Sequence, residues 1–116
     1  MGYKETIPFK SRFNECERIR SKYPDRVPVI VERSKHSQEL NEIDKKKFLI
    51  PADLTVGQFM YVIRRRISLP AEKSLFIFMD NHTLPATSEL ISVVWKNYKD
   101  KDGYLYVNYS GENTFG

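Results

Sequence analysis

The first quarter of the chain has hydrophobic residues at helical spacing. They recur at steps of three and four: Phe9, Phe13, Cys16, Ile19 and Tyr23. This stripe predicts an amphipathic helix over residues 9–23, with the charged side chains, Arg12 among them, mostly outside it. Pro8 suits the first turn of such a helix, and Pro24 ends the pattern. The position of Cys16 on the stripe favours a packing role for its thiol.

Two shorter hydrophobic runs predict a pair of strands. Residues 27–33 (VPVIVER) are rich in β-branched side chains, and residues 48–50 (FLI) are followed by Pro51, which stops a strand. The segment between the two runs is polar and turn-like. We therefore predict that the two strands form a hairpin.

A capping box marks the start of the next element. Thr55 is followed three residues later by Gln58, a pattern in which two side chains satisfy free backbone N–H groups at the start of a helix. The predicted helix ends near residues 69–70, and its apolar positions form a broad buried face: Val56, Phe59, Met60, Val62, Ile63 and Ile67.

The last third of the chain alternates between strand-like and helical patterns. Residues 75–79 (LFIFM) predict a strand, residues 80–82 a turn, and residues 83–84 a short extended piece. A helix capped by Thr87 or the serine after it is predicted next. Its apolar face consists of Leu90, Ile91, Val94, Trp95 and Tyr98. Residues 104–109 then alternate as a final strand.

The predicted order of elements indicates a fold class. One helix is followed by β-β-α-β-β-α-β, which is the order of the β-grasp, or ubiquitin-like, fold in the α+β class. A mixed sheet would wrap around one main helix. The chain then divides into an N-terminal helical extension over residues 1–24, a ubiquitin-like core over 25–110 and an extended C-terminal tail over 111–116.

The composition excludes several classes of protein. The 116 residues suffice for one domain with its own core, and no apolar run is long enough to span a bilayer. A single cysteine cannot form an internal disulfide, which favours a reducing, cytoplasmic location. Two histidines and one cysteine leave too few ligands for a structural metal site, and we predict neither a metal nor a cofactor.

The positive charge is unevenly distributed along the chain. The net charge is +4, with 12 basic and 8 acidic residues in the first 50 positions and 7 of each in the remainder. The excess is either an ordinary solvated surface or a surface that binds acidic partners such as peptides, nucleic acid or anionic lipid.

The candidate catalytic residues form no recognisable constellation. Cys16 lies on a packing stripe, whereas His36 and His82 are in predicted loops, and nothing in the spacing brings a nucleophile next to a base. Glycine-rich phosphate-binding patterns and the HExxH pattern are absent from the sequence. We therefore predict that the protein is not an enzyme.

Two features carry information about function. Gly116 has no Cβ, so its carboxylate can enter a narrow tunnel and be activated as an adenylate or thioester. Residues 45–51 (KKKFLIP) suit an edge strand that a peptide extends, with the lysines attracting acidic residues that flank the peptide. A plain hairpin strand with a solvated basic end explains the same residues, and chains also end in glycine by chance.

Longer segments resemble a known family. RVPVI, EIDKKKFLIPADLTVGQFMYVIRRRI, FIF and KDKDGYLYVNYSGENTFG are similar to the autophagy-related ubiquitin-like modifiers. That family includes the yeast autophagy modifier, the microtubule-associated light chains and the GABA-A-receptor-associated protein. The resemblance extends from about Phe9 to Gly116 and implies a ubiquitin-like fold with an N-terminal helical extension.

The resemblance implies a pathway of conjugation. A cysteine protease would recognise Thr114 and Phe115 in the tail and expose Gly116. An E1-like and an E2-like enzyme would then join Gly116 to the amine of phosphatidylethanolamine. The protein would be cytoplasmic before conjugation and afterwards anchored to autophagosomes, and also found at the vacuole or lysosome.

The resemblance also implies two pockets for a motif of the form aromatic-x-x-aliphatic, carried by cargo receptors and autophagy proteins. The aromatic pocket corresponds to Glu15, Ile19, Pro28, Ile30, Lys47, Leu49 and Tyr104. The aliphatic pocket corresponds to Phe48, Ile50, Pro51, Leu54, Phe59 and Val62, and the basic rim to Arg26, Lys45, Lys46 and Arg66. Core packing alone is a second explanation for Ile30, Leu54, Phe59 and Val62.

Two other functions fit parts of the sequence. An unconjugated adaptor would use the same groove to bind trafficking proteins, or tubulin through the basic N-terminal half. A nucleic-acid-binding protein would show steeply salt-dependent affinity. No aromatic pattern of an RNA-binding module accompanies the basic residues, so we expect no nucleic-acid partner.

Overall fold

The computed structural model describes residues 2–80 and 83–112, in which four helices surround one four-stranded sheet. In chain order the elements are α1 (Tyr3–Thr6), α2 (Phe9–Lys22), β1 (Arg26–Arg33), β2 (Lys47–Pro51), α3 (Val56–Arg66), β3 (Phe76–Met79), α4 (Ile91–Tyr98) and β4 (Leu105–Ser110). The strand order in the sheet is β2-β1-β4-β3. β1 pairs with β2 antiparallel and with β4 parallel, while β3 pairs with β4 antiparallel. This mixed sheet confirms the predicted β-grasp architecture.

The main helix α3 covers one face of the sheet. Thr55 and Gln58 form the predicted capping box, because each side chain accepts from the other residue's backbone N–H. Val56, Phe59 and Ile63 on α3 are completely buried. They pack with alternate residues of the strands into one large apolar cluster, and burial of this apolar surface is the main source of stability in such a fold.

The N-terminal helices cover the opposite face of the sheet. Cys16 of α2 packs with Ile30 of β1 and with Tyr104, which precedes β4. Ile30 projects to this face because successive side chains of a strand point to opposite sides of the sheet. The packing role predicted for Cys16 is confirmed, and burial raises the pKa of its thiol to about 11. Gly103, with φ +96°, lies so close that a Cβ there would be 2.6 Å from the Cys16 sulfur.

The predicted apolar stripe of α2 is wrong at several positions. Phe9 and Phe13 are 47% and 40% exposed, whereas Arg12, predicted to lie outside the stripe, is only 8% exposed. The reason is a buried partner, because the Arg12 guanidinium donates to Asp102 at 2.5 Å. A charged side chain can be buried when it is paired and hydrogen-bonded in this way.

Two further differences from the prediction concern short elements. The piece around Thr83 forms only an isolated bridge with Met79 instead of a fifth strand. The predicted cap of α4 by Thr87 or Ser88 is also wrong, since the helix begins after Leu90 without a side-chain cap. The Thr87 carbonyl instead accepts from the backbone of Gly57, which ties this segment to the start of α3.

Candidate functional site

The strand β2 lies at one edge of the sheet, as predicted for the KKKFLIP segment. Its register on β1 pairs Leu49 with Pro28 and Lys47 with Ile30. These four side chains therefore point to the α2 side of the sheet. Phe48 and Ile50 point to the α3 side. An edge strand offers free backbone groups to an added strand, so β2 can accept a peptide with side chains on both faces.

A cavity of about 490 Å³ lies between α2 and β2. Its lining residues are Glu15, Arg18, Ile19, Arg26, Lys45, Lys47, Phe48, Leu49 and Tyr104. This α2–β2 cavity brings together Glu15, Ile19, Lys47, Leu49 and Tyr104 of the aromatic pocket that the sequence suggests. Pro28 and Ile30 do not line it, because both are buried in β1.

Glu15 is the centre of the hydrogen bonds in this cavity. Its carboxylate accepts from Lys47 Nζ at 3.1 and 3.3 Å, from the Tyr104 hydroxyl, and from the Tyr3 hydroxyl at 3.4 Å. Burial alone would raise the pKa of Glu15, but the hydrogen bonds from Tyr104 and Lys47 outweigh burial and hold it below its usual range. The hydrogen bond to Glu15 likewise raises the pKa of Lys47. The pair is therefore ionised at neutral pH.

Besides Lys47, three basic residues line the cavity. Lys45 lies with its ammonium 5.0 Å from the centre of the Phe48 ring, and Arg26 donates to the Leu49 carbonyl at 3.4 Å. Arg18 is the third cation, and the sequence prediction missed it. Its spacing of three residues from Glu15 on α2 was the available signal, because residues three apart share a helix face.

The two remaining basic residues of the predicted rim are paired elsewhere. Lys46 forms an ion pair with Glu32 at 3.2 Å, and Arg66 forms one with Asp44 at 3.3 Å. Neither lines the α2–β2 cavity. Arg66 does lie 5.5 Å from the centre of the Phe48 ring, which places it near the residues of the predicted aliphatic pocket.

The predicted aliphatic pocket divides into core and surface. Phe48, Ile50 and Phe59 are buried members of the large cluster, and the Phe48 and Phe59 rings meet edge to face at 6.0 Å. Pro51 is exposed, whereas Leu54 and Val62 are partly buried and pack on the cluster. Pro51, Leu54 and Val62 are therefore the members of this set with accessible surface, while Phe59 belongs to the buried cluster on which Leu54 and Val62 pack.

The predicted conjugation residues Thr114, Phe115 and Gly116 lie outside the described residues. The described part of the chain continues from β4 as far as Glu112. Residues 2–80 and 83–112 contain no group of three His, Cys, Asp or Glu side chains able to hold a metal ion. None of the helices in these ranges is long and apolar enough to cross a membrane.

Comparison with known proteins identifies the family. The family model described as "Autophagy protein Atg8 ubiquitin like" matches residues 11–116. Autophagy-related protein 8a of Arabidopsis thaliana is 57% identical over 99% of this chain and 93% of its own length. Autophagy-related protein 8 of Eremothecium gossypii is 60% identical, over 99% of this chain and 94% of its own length.

A solved structure supports the same assignment. The crystal structure of Trypanosoma brucei ATG8 superposes with a TM-score of 0.90 at 43% identity, covering 100% of this chain and 98% of that one. The sequence match and the shared fold thus extend over essentially the whole chain. The protein belongs to the Atg8 family of ubiquitin-like autophagy proteins.

Proposed function

We propose that this protein is a modifier conjugated through Gly116 to phosphatidylethanolamine on autophagosomal membranes, where it binds partners that carry aromatic-x-x-aliphatic motifs. The observation that carries the proposal is the α2–β2 cavity beside an edge strand, in a chain of the Atg8 family with glycine at position 116. The unconjugated protein would be cytoplasmic, and the conjugate would lie on autophagosomes and at the vacuole or lysosome.

The conjugation chemistry needs only the terminal carboxylate of this chain. An E1-like enzyme would join that carboxylate to ATP, releasing pyrophosphate, and its cysteine thiolate would displace AMP to form a thioester. Exchange would move the acyl group to the thiol of an E2-like enzyme. The lipid amine would then attack the thioester carbonyl, losing a proton and releasing the thiol, so that an amide remains.

The residue types in the tail suit this pathway. Gly116 has no Cβ to obstruct approach to its carboxyl carbon. Thr114 and Phe115 would provide the side chains that a processing cysteine protease recognises before it hydrolyses the bond after Gly116. The enzymes of conjugation and the protease are thus the partners of the tail, whereas cargo receptors and autophagy proteins are partners of the cavity.

The groove would recognise a motif by adding a strand to β2. The aromatic side chain enters the α2–β2 cavity, and the aliphatic side chain lies over Pro51, Leu54 and Val62. Burying an aromatic side chain of 150–250 Å² contributes about 4–6 kcal/mol at roughly 25 cal/mol per Å², much of which is offset by the cost of association. We therefore expect micromolar affinity, with acidic residues before the motif attracted by Arg18 and Lys45.

Conjugation is tested by incubating the chain with E1-like and E2-like enzymes of a family member, ATP and phosphatidylethanolamine liposomes. Intact mass should show the gain of one phospholipid on the full chain and none on a copy lacking Gly116. Absence of an adduct on both chains, with the enzymes active on a known member, would overturn the modifier proposal and favour an unconjugated adaptor.

The groove is tested separately by peptide binding. Lys45→Glu places a negative charge at the cavity, so it should weaken binding of an acidic Trp-x-x-Leu peptide roughly three- to tenfold. Lys46→Glu is the matched control, because Lys46 is paired with Glu32 away from the cavity. Calorimetric titration measures both affinities. Equal weakening by the two variants would mean that net charge, rather than this cavity, attracts the peptide.

A further inference from the structure

The polar loop after β1 makes hydrogen bonds with the end of β4. Ser37 in this loop is 0% exposed, and its hydroxyl lies 2.7 Å from that of Ser110, the last residue of β4. The same Ser37 oxygen accepts from the backbone N–H of Gly111 at 3.0 Å. The Ser110 hydroxyl in turn accepts from the backbone N–H of Glu112 at 3.1 Å. The hydroxyls of Ser37 and Ser110 thus satisfy the backbone N–H groups of the first two residues after the strand, Gly111 and Glu112.

The loop itself is held by bonds that do not involve the tail. The Ser34 N–H donates to the Tyr109 carbonyl at 2.8 Å, and the Ser37 N–H donates to the Ser34 carbonyl at 3.1 Å. The Leu40 N–H donates to the Ser37 carbonyl at 3.1 Å and so forms a second turn. The Arg33 side chain donates to the Leu40 carbonyl at 2.8 Å. The Ser37 hydroxyl is therefore positioned by the folded body before the tail binds to it.

The loop also covers the first tail residue closely. A Cβ on Gly111 would lie 2.7 Å from a carboxylate oxygen of Glu39 and 3.8 Å from the side chain of Leu40. The Glu39 oxygen is the end of an exposed side chain that can move aside, and the Leu40 distance is an ordinary van der Waals contact, so the loop packs against the backbone of Gly111. The loop and the tail form one packed unit up to Glu112, whose N–H is the last of these bonded donors.

We propose that Ser37 is a positioning residue for the reaction of the C-terminal glycine, an inference that rests on the proposed function. By holding Gly111 and supporting Ser110, it makes Glu112 the point from which the reacting segment starts. Four residues then lead from Glu112 to Gly116, with a reach of at most about 14 Å at roughly 3.3–3.6 Å per residue. Loss of the Ser37 hydroxyl frees the backbone of Gly111, which an enzyme must then order when it binds the chain.

The expected effect is on substrate binding rather than on the chemical step. Ordering a freed residue opposes binding by enough to weaken an association about tenfold, whereas the carboxylate and the attacking thiolate are unchanged. We therefore expect a KM for thioester formation about tenfold higher in Ser37→Ala, with kcat unchanged. The reaction measured is attack of the E1-like enzyme's thiolate on the Gly116 acyl-adenylate, which releases AMP.

The first arm of the test is amide hydrogen exchange on the whole chain without enzymes. Ser37→Ala should speed exchange at Gly111 and Glu112 but leave α3 unchanged. Ser37→Cys keeps nearly the same volume but has a much weaker hydrogen-bonding group, so it should also speed exchange at Gly111 and Glu112. It replaces Ser37→Ala in the test if the alanine variant fails to fold. Ser88→Ala, an exposed serine at another site, is the matched control.

The second arm measures initial rates of thioester formation against concentration of the chain, with ATP present. A raised KM in Ser37→Ala and Ser37→Cys, together with faster exchange at the two tail amides, supports the positioning role. Wild-type KM in both variants overturns it, as does unchanged exchange at Gly111. Failure of the wild-type chain to form any thioester would instead overturn the proposed function, while the exchange arm still reports whether Ser37 holds the tail.

Discussion

The two faces of the sheet are held in different ways. The face toward α3 is packed with aliphatic and aromatic side chains, among them Phe59 and Ile63, which are completely buried. The face toward α2 has a small apolar cluster of Cys16, Ile30 and Tyr104. On this face, α1 and α2 are attached to the rest of the fold largely by hydrogen bonds and ion pairs. The stability of the α3 face therefore depends on buried apolar area, and that of the α2 face on the geometry of charged and polar contacts.

The polar attachment connects distant parts of the chain. Asp102 accepts from Arg12 and from the Tyr106 hydroxyl, both at 2.5 Å, and Lys4 is paired with Asp100 at 2.6 Å. These bonds fix α1 and α2 to the turn before β4. The candidate site lies on this same face, and the hydrogen bonds of Glu15 with Lys47 and Tyr104 make it polar in the same way. The apolar face thus supplies most of the buried area, while the polar face carries the candidate site.

The largest expected effect is on the free energy of unfolding, when one phenylalanine on each face of the sheet is replaced by alanine. Phe59→Ala should lower the free energy of unfolding by about 3–5 kcal/mol, because it removes a completely buried ring from the large cluster. Phe13→Ala on α2 should change it by only about 0.5 kcal/mol, since Phe13 is 40% exposed. Denaturant unfolding measures both values. Equal losses would contradict the comparison.

The next effect concerns the buried ion pair. Asp102→Asn should lower the free energy of unfolding by about 3 kcal/mol, because it keeps the size of the side chain but leaves the buried Arg12 guanidinium only a longer contact of 3.9 Å with Asp100. Adding Arg12→Met should restore part of this loss by removing the buried charge that has lost its short ion pair. Unfolding of the single and double variants measures the difference. A double variant less stable than Asp102→Asn would show that the pair is not the reason for the loss.

A smaller effect is expected at the candidate site. Tyr104→Phe removes the hydroxyl that donates to Glu15, which should cost about 1–2 kcal/mol of unfolding free energy. The remaining contact with Lys47 should keep Glu15 ionised. Tyr61→Phe, at a 60% exposed ring, is the control and should have almost no effect. Thermal unfolding of both variants tests the assignment, and equal shifts would argue against a structural role for the Tyr104 hydroxyl.

The smallest effect is the response of the polar face to acid. Burial would raise the pKa values of Glu15 and Asp100, but hydrogen bonds from Tyr104 and Lys47, and from Lys4, hold both below their usual range. Their contribution to stability is therefore present above the unfolded-state values near 4 and is lost as pH falls through the folded-state values. The wild-type chain should lose stability below about pH 4 more steeply than Glu15→Gln. Identical profiles would contradict this.

Local signals in the sequence predicted much of the fold. The capping box at Thr55 specified the start of α3 because both partners are three residues apart. Alternation along residues 104–109 predicted the final strand, which the structure has at Leu105–Ser110. Burial of Arg12 could not be predicted, because its partner Asp102 is 90 positions away and contributes no signal to the helical pattern.

The candidate site was predictable to a similar degree. The resemblance to a family supplied Glu15, Lys47 and Tyr104, and the structure places them around one cavity. It supplied no information on Ser37, whose hydrogen bond to Ser110 spans 73 positions. Contacts between loops and distant strands depend on the completed fold, and sequence periodicity does not report them.

The central position of β4 has a consequence for force. β4 lies between β1 and β3, so each edge of this last strand is hydrogen-bonded to a neighbour. In the proposed conjugate, the membrane would hold the chain through the residues after β4, and cargo would pull at β2. The force would then act along β4. The hydrogen bonds of both ladders then bear tension together instead of opening in succession. In the proposed conjugate, this strand would therefore couple the membrane mechanically to a partner bound at β2.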